Sequence, residues 1–134
     1  MSKERTKLDA QNIALFSRCV RAREPFCFLC GAPSNHAHHL VPREWQRTRY
    51  DPNFGRGICL DCHSDEHSLR RKKFLAKVRN AVGAEAYDAM QKRYRVPWKW
   101  SIAELKEIRR RLKHELEILE RNWGRPFDPS DIPF

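Results

Sequence analysis

The stretch CLDCHSDEH, residues 59–67, decides how this chain folds. It sets Cys59 and Cys62 three positions apart, places His63 directly after them and His67 four positions further on. Upstream, CFLC at 27–30 supplies a second C-x-x-C pair, and HAHHLVPR at 36–43 supplies His36, His38 and His39. A zinc-type ion takes about four ligands. The region offers more donors than that, so the spacing points to two metal sites rather than one.

Cys27, Cys30, Cys59 and Cys62 have the spacing of a closed structural zinc shell. Metal binding in such a shell becomes folding free energy, on the order of 10 kcal/mol in small zinc peptides. A redox dithiol is the alternative, but two pairs bracketing a hairpin favour a metal. A helix predicted over 60–80 carries His63 and His67 on one face, because positions i and i+4 align. His36, His38 and His39 fall on a strand predicted near 36–41, which the sulfur-bound ion would tie to that helix. Imidazoles from both elements plus water would form an open site of catalytic type. Two other fates stay open for these histidines: replacing a cysteine at the zinc, or facing solvent. His114 stands alone in a charged helix and reads as surface.

The combination of C-x-x-C, then HHLVP at 38–42, then C-x-x-C-H with a further histidine resembles the HNH endonucleases over about residues 26–70. The resemblance implies an α+β, mainly helical chain. Its core would be a ββα-metal (His-Me finger) unit stapled by a four-cysteine zinc, with N-terminal and C-terminal helices on its flanks. It also implies roles. His38, His63 and His67 would hold a catalytic ion, and His39 would be the general base. Asn53 would take the place of the family's middle Asn. That Asn usually lies five residues before the third cysteine, where this chain has Phe54. Either a bulge brings Asn53 into position or another group orients His39. The implied reaction is hydrolysis of DNA phosphodiester bonds to 5′-phosphate and 3′-hydroxyl ends. FLAKVRNAVGAEAYDAMQKRY (74–94) and WKWSIAELKEIRRRLKHEL (98–116) are similar in order and spacing to the phage NinG/Rap recombination endonucleases, which act on branched DNA. Their central pair is typically Gly-His and their last motif Cys-Asn, unlike His38-His39 and Cys62-His63 here.

Imidazole ligands favour transition metals over magnesium. The expected cofactors are therefore a structural Zn2+ and a catalytic divalent ion, with Mn2+, Ni2+, Co2+ or Zn2+ ahead of Mg2+.

The rest of the chain fits a polyanion partner. Its 134 residues suit one domain, and its formal net charge is +10, which favours nucleic acid. Arg43, Arg47, Arg49 and Arg56 line the loop between the strands; Arg70, Arg71, Lys72, Lys73 and Lys77 lie on the helix after the last cysteine. These can neutralise phosphates without reading bases, so duplex or branched DNA with little sequence preference is the expected partner. A solvated helix face is the plainer account of RRKK. No apolar run reaches the ~18 residues of a membrane span, and MSKERTKLDAQ lacks the apolar core of a signal peptide. The expectation is a cytoplasmic protein of a bacterium or a phage-infected cell. There thiols stay reduced, and the fifth cysteine, Cys19, is expected as a buried free thiol.

Around the core the pattern predicts a single domain over 1–134. An N-terminal helical segment covers 8–24, with Asp9 as the cap of a helix over about 10–24 and Ile13, Phe16 and Val20 on one face. The zinc-stapled core covers 26–82, and a helical extension covers 84–123. Pro97 breaks that extension, and SIAE at 101–104 forms a capping box. Ile102, Leu105, Ile108, Leu112, Leu116, Leu119 and Trp123 make a stripe expected to pack on the first helix, with a homodimer seam as the alternative. Gly124 and Pro126 should stop that helix and leave 124–134 as a tail. The rival to a nuclease is a zinc-stabilised nucleic-acid-binding module without catalysis. A second rival is an HNH enzyme of homing, packaging or restriction type.

Overall fold

The first helix starts earlier than Asp9. In the computed structural model, which describes residues 2–123, Ser2 is the N-cap: its hydroxyl accepts from the Arg5 amide at 3.1 Å. The helix α1 then runs Lys3–Arg23. Residues 3–8 contain no helix breaker, so the helix extends back to a hydroxyl that can satisfy its first amides. Asp9 is thereby placed in mid-helix, where its carboxylate accepts from Arg49 Nε at 2.8 Å and Nη2 at 2.9 Å, and from the Tyr50 hydroxyl.

That pairing is testable by pH. Burial pushes the Asp9 carboxyl up, but the hydrogen bonds from Arg49 and Tyr50 outweigh it and hold the group below its ordinary value. A depressed carboxyl stabilises the fold above its unfolded pKa of about 3.9 and loses that contribution as pH falls through the folded value. Asp9→Asn should therefore cost about 1–3 kcal/mol at pH 7, and urea melts of the two proteins should converge below the ordinary carboxyl range.

Opposite α1 lies α5, Ile102–Trp123. Its capping box forms as expected, with Ser101 N donating to Glu104 Oε1 at 2.9 Å and Glu104 N to Ser101 Oγ at 3.0 Å. Leu105, Leu112 and Leu116 bury against Leu8, Leu15, Cys19 and Tyr50. Asn12 is fully buried between the helices and donates to the Leu105 carbonyl at 3.0 Å, which fixes their register. Cys19 is buried, as expected, and burial pushes its thiol up to about 11. The helix stop at Gly124 and the tail fall outside the described residues.

A two-stranded antiparallel ribbon sits against α1. Strand β1, His36–His39, pairs with β2, Gly55–Ile58, in the register His36↔Ile58, Ala37↔Gly57, His38↔Arg56, His39↔Gly55. The glycines let the helix approach. A Cβ on Gly55 would lie 2.5 Å from Val20 Cγ2 and 2.8 Å from Phe16 Cζ, and one on Gly57 would collide with the Glu24 carbonyl oxygen.

After β2 the chain departs from expectation. The helix predicted over 60–80 is two: α2, Leu60–Ser64, and α3, Arg71–Val82, with a 3-10 turn over Asp65–His67 between them. Ser68 interrupts the helix. Its backbone is extended, its hydroxyl donates to the Asp65 carbonyl, and it accepts from the Arg70 amide. Serine competes in this way with helical hydrogen bonds. Phe74 and Val78 of α3 bury with Leu40, Ile58, Cys27 and Cys59 in a second small core. The helix α4, Ala84–Tyr94, follows Gly83, whose φ of 104° suits glycine. Helix thus dominates, with one small sheet, an α+β arrangement. Among the described residues no helix is long and apolar enough to cross a membrane.

Candidate metal centres

Backbone geometry gathers the four cysteines. In the turn after α1, Gly31 at φ 81° lets its amide donate back to the Cys27 carbonyl at 2.8 Å. The Phe28 amide donates to the Gly57 carbonyl at 3.0 Å, which pins that turn to β2. Cys59 follows the strand directly and caps α2, its sulfur accepting from the Cys62 amide at 3.4 Å. The Sγ atoms of Cys27, Cys30, Cys59 and Cys62 all lie within 4.8 Å of one another, and those of Cys30 and Cys59 are 3.6 Å apart. A tetrahedral shell with Zn–S bonds of about 2.3 Å has sulfurs about 3.8 Å apart. The group can hold a metal ion, and its chemistry asks for one. Burial raises the Cys27 thiol, but amide hydrogen bonds bring it down to about 7, whereas burial and the neighbouring sulfurs push Cys62 far up. Thiols this crowded need a cation before all can ionise.

The pleat separates the adjacent histidines. Paired residues of an antiparallel ribbon share a face and neighbours along a strand alternate. His36 and His38 point toward α2 and α3, while His39 points toward α1. His38 has 4% of its side chain exposed and meets Phe74 edge-on, with ring centroids 5.2 Å apart. His39 stacks on Phe16 at 4.3 Å and sets its Nε2 3.0 Å from the Arg49 carbonyl oxygen. A carbonyl only accepts, so Nε2 carries the proton and Nδ1 is left as the acceptor. Burial lowers the pKa of His39 to about 4, which keeps the ring neutral at pH 7.

On the α2 side, His38, His63 and Glu66 converge, one donor atom of each within 4.8 Å of the others. Glu66 Oε2 lies 3.0 Å from His63 Nε2 and 3.4 Å from His38 Nδ1. The His38 contact is poorly directed, and this buried Nδ1 has no hydrogen-bond partner. Burial raises the Glu66 carboxyl, but the two imidazoles outweigh it and hold it well below the carboxylate range. An orphaned nitrogen, a second imidazole and an ionised carboxylate facing one point are a donor set that fits a divalent cation.

Glu66 takes the place expected of His67. The helix break turns His67 outward: 80% of its side chain is exposed and its Nε2 is 3.9 Å from Glu66 Oε2. In the tighter turn after α2, position i+3 from His63 faces the site instead of i+4. The spacing H-x-x-E in HSDE carried that signal. His36 stands behind His63, their Nδ1 atoms 3.3 Å apart.

Asn53 is not at either centre. It lies in a 3-10 turn, Pro52–Phe54, where its amide donates to Asp51 Oδ1 and its own Oδ1 accepts from Arg23. The group that orients His39 is the Arg49 carbonyl. Two of the basic candidates are held internally. Arg49 clasps Asp9, and Arg56 makes bonds to Glu24 of 3.0 Å and 2.9 Å while lying over Phe28. Arg43, Arg47, Arg70, Arg71, Lys72, Lys73 and Lys77 are exposed and form no ion pair among the described residues. No protein-family model, curated protein or solved structure matches this chain.

Proposed function

We propose that the protein is a metal-dependent DNA endonuclease of the HNH kind, with a structural zinc on its four cysteines. The observation that carries this is the convergence of His38, His63 and Glu66 on one point beside the cysteine cluster. A cation held there would act as a Lewis acid on the scissile phosphate and stabilise charge on the leaving oxygen. His63 would present Nε2 to it and keep a proton on Nδ1 for His36, an outer hydrogen bond of the sort that fixes a ligand's tautomer. His39 is the proposed base. It is neutral at pH 7, its Nε2–H is anchored on the Arg49 carbonyl, and Nδ1 is left to take a proton from water. The exposed cations at 70–73, 77, 43 and 47 would hold the phosphates.

The metal preference shifts slightly from the expectation from sequence. Two imidazoles still favour Mn2+, Co2+, Ni2+ or Zn2+, but a carboxylate in the set makes Mg2+ a better substitute than three imidazoles would. Cleavage of linear duplex, flap and four-way junction, each with these ions in turn, should show activity that follows the ion. A second reading, a zinc-stabilised binding module, is favoured by the turning of His39 toward α1. One firmly held zinc per chain, no second exchangeable ion and no cleavage of any substrate would establish it instead.

A further inference from the structure

The ribbon loop and the end of α4 meet in a cluster of aromatic rings and arginines that neither metal centre uses. The Arg47 guanidinium carbon lies 5.3 Å from the Tyr94 ring centroid and 5.3 Å from that of Trp98. Arg93 lies over Tyr94 at 5.4 Å, and Phe54 packs on the same ring at 4.7 Å. Trp100 meets Trp98 edge-on at 5.6 Å.

The two tryptophans have different tasks. Trp100 packs against the core between α1 and α5, and its indole N–H donates to the Gln46 carbonyl at 2.8 Å. Trp98 belongs to neither buried core, is 44% exposed and makes no hydrogen bond through its indole nitrogen among the described residues. Trp98 is thus a large aromatic ring left part-exposed at the surface, braced by Trp100 and flanked by cations. Arg47 and Arg93 are exposed and form no ion pair among the described residues.

A part-exposed ring beside guanidinium groups free of ion pairs among the described residues is how proteins hold single-stranded nucleic acid: the ring stacks a base and the cations take its phosphates. A base paired within a duplex has no free face to offer. The patch also belongs to the site's own scaffold. Arg47 is two residues from Arg49, whose carbonyl orients His39, and Gln91 of α4 donates to the Leu40 carbonyl at the end of β1 at 2.7 Å.

We propose that Trp98, braced by Trp100 and flanked by Arg47 and Arg93, is a stacking platform for an unpaired base of a DNA strand. This rests on the DNA reading above and narrows it to substrates with a single-stranded portion, such as a flap, tail or open junction. Proline-rich peptides also dock on aromatic surfaces, but the density of cations here favours a polyanion.

Fluorescence anisotropy without added divalent ion tests binding independently of cleavage. The probes are a labelled blunt duplex, the same duplex with a single-stranded 5′ tail, and that tailed duplex with the tail bases removed as abasic sites. Wild-type protein should bind the natural tail about tenfold more tightly than the abasic tail. Trp98→Ala should abolish that difference, and Trp98→Phe should restore most of it. Equal wild-type affinity for natural and abasic tails would overturn the platform, as would a Trp98→Ala loss of equal size on all three probes. Neither result would bear on whether the metal centre cuts DNA. If the abasic contrast appears as expected but no substrate is cleaved, the platform stands and the nuclease assignment falls.

Discussion

Cys59→Ser is expected to lower the thermal midpoint by about 10 °C or more and to abolish binding of the zinc proposed for the four cysteines. Cys59 sits where three elements join. It directly follows β2, it caps α2, and its sulfur lies 3.6 Å from that of Cys30 on the turn after α1. The apolar core beneath is small: Leu40, Ile58, Phe74 and Val78 with the cysteines themselves. The large core between α1 and α5 lies elsewhere and does not hold the ribbon to α2. Without an ion nothing would draw the four sulfurs together, and the junction would rest on those few side chains. Because ion binding in such shells supplies on the order of 10 kcal/mol toward folding, losing one ligand should outweigh any single packing defect nearby. Cys19→Ala is the matching control. Among the described residues its buried thiol donates only to the Leu112 carbonyl, at 3.5 Å, so that variant should bind zinc as the wild type does. Metal analysis together with a thermal melt decides the matter. A Cys59→Ser protein with an unchanged midpoint, beside a wild type that binds no zinc, would mean that the sulfur cluster is not a metal site.

What could be read from the sequence divides along a physical line. Covalent spacing and local hydrogen bonding were legible. The two C-x-x-C pairs do converge, Ser101 and Glu104 do form their box, and the stripe from Leu105 to Leu116 does pack on the first helix. Competition between neighbouring signals was not. Asp9 is a good cap, but Ser2 upstream is available and nothing between them stops the helix, so Asp9 became a partner for Arg49, a residue 40 positions away. Ser68 carries a signal that a helical pattern over 60–80 conceals, because Leu75, Val78 and Val82 keep their period after the break. The 3-10 turn over Asp65–His67, which Ser68 closes, sets His63 beside Glu66 at i, i+3 and leaves His67, at i+4, in solvent. The pairing His38-His39 shows a further limit. Strand alternation alone says that the two face opposite ways, but which of them meets α2 depends on register, and Gly55 and Gly57 set that by admitting α1 on the His39 side.

Glu66→Gln should therefore do what His67→Ala does not. Replacing the carboxylate removes the only negative charge among the three converging donors while preserving their shape, so the site loses its attraction for a divalent ion at little cost in packing. On the nuclease reading proposed above, the expected result is loss of the exchangeable second ion and a fall in plasmid cleavage of about 10²–10³-fold, the scale of removing one group that stabilises transition-state charge. His38→Ala should have an effect at least as large, but it also leaves a gap beside Phe74, so its loss of activity needs a circular-dichroism control for folding. His67→Ala, which alters a side chain already in solvent, should retain both the ion and the cleavage. Titration with Co2+ followed by its visible absorption separates the outcomes, since Glu66→Gln should keep the sulfur-bound ion and lose only the other. If His67→Ala silences the protein and Glu66→Gln does not, the working site is built on a regular helix through Ser68, and the cation lies one residue further along the chain than Glu66 would hold it.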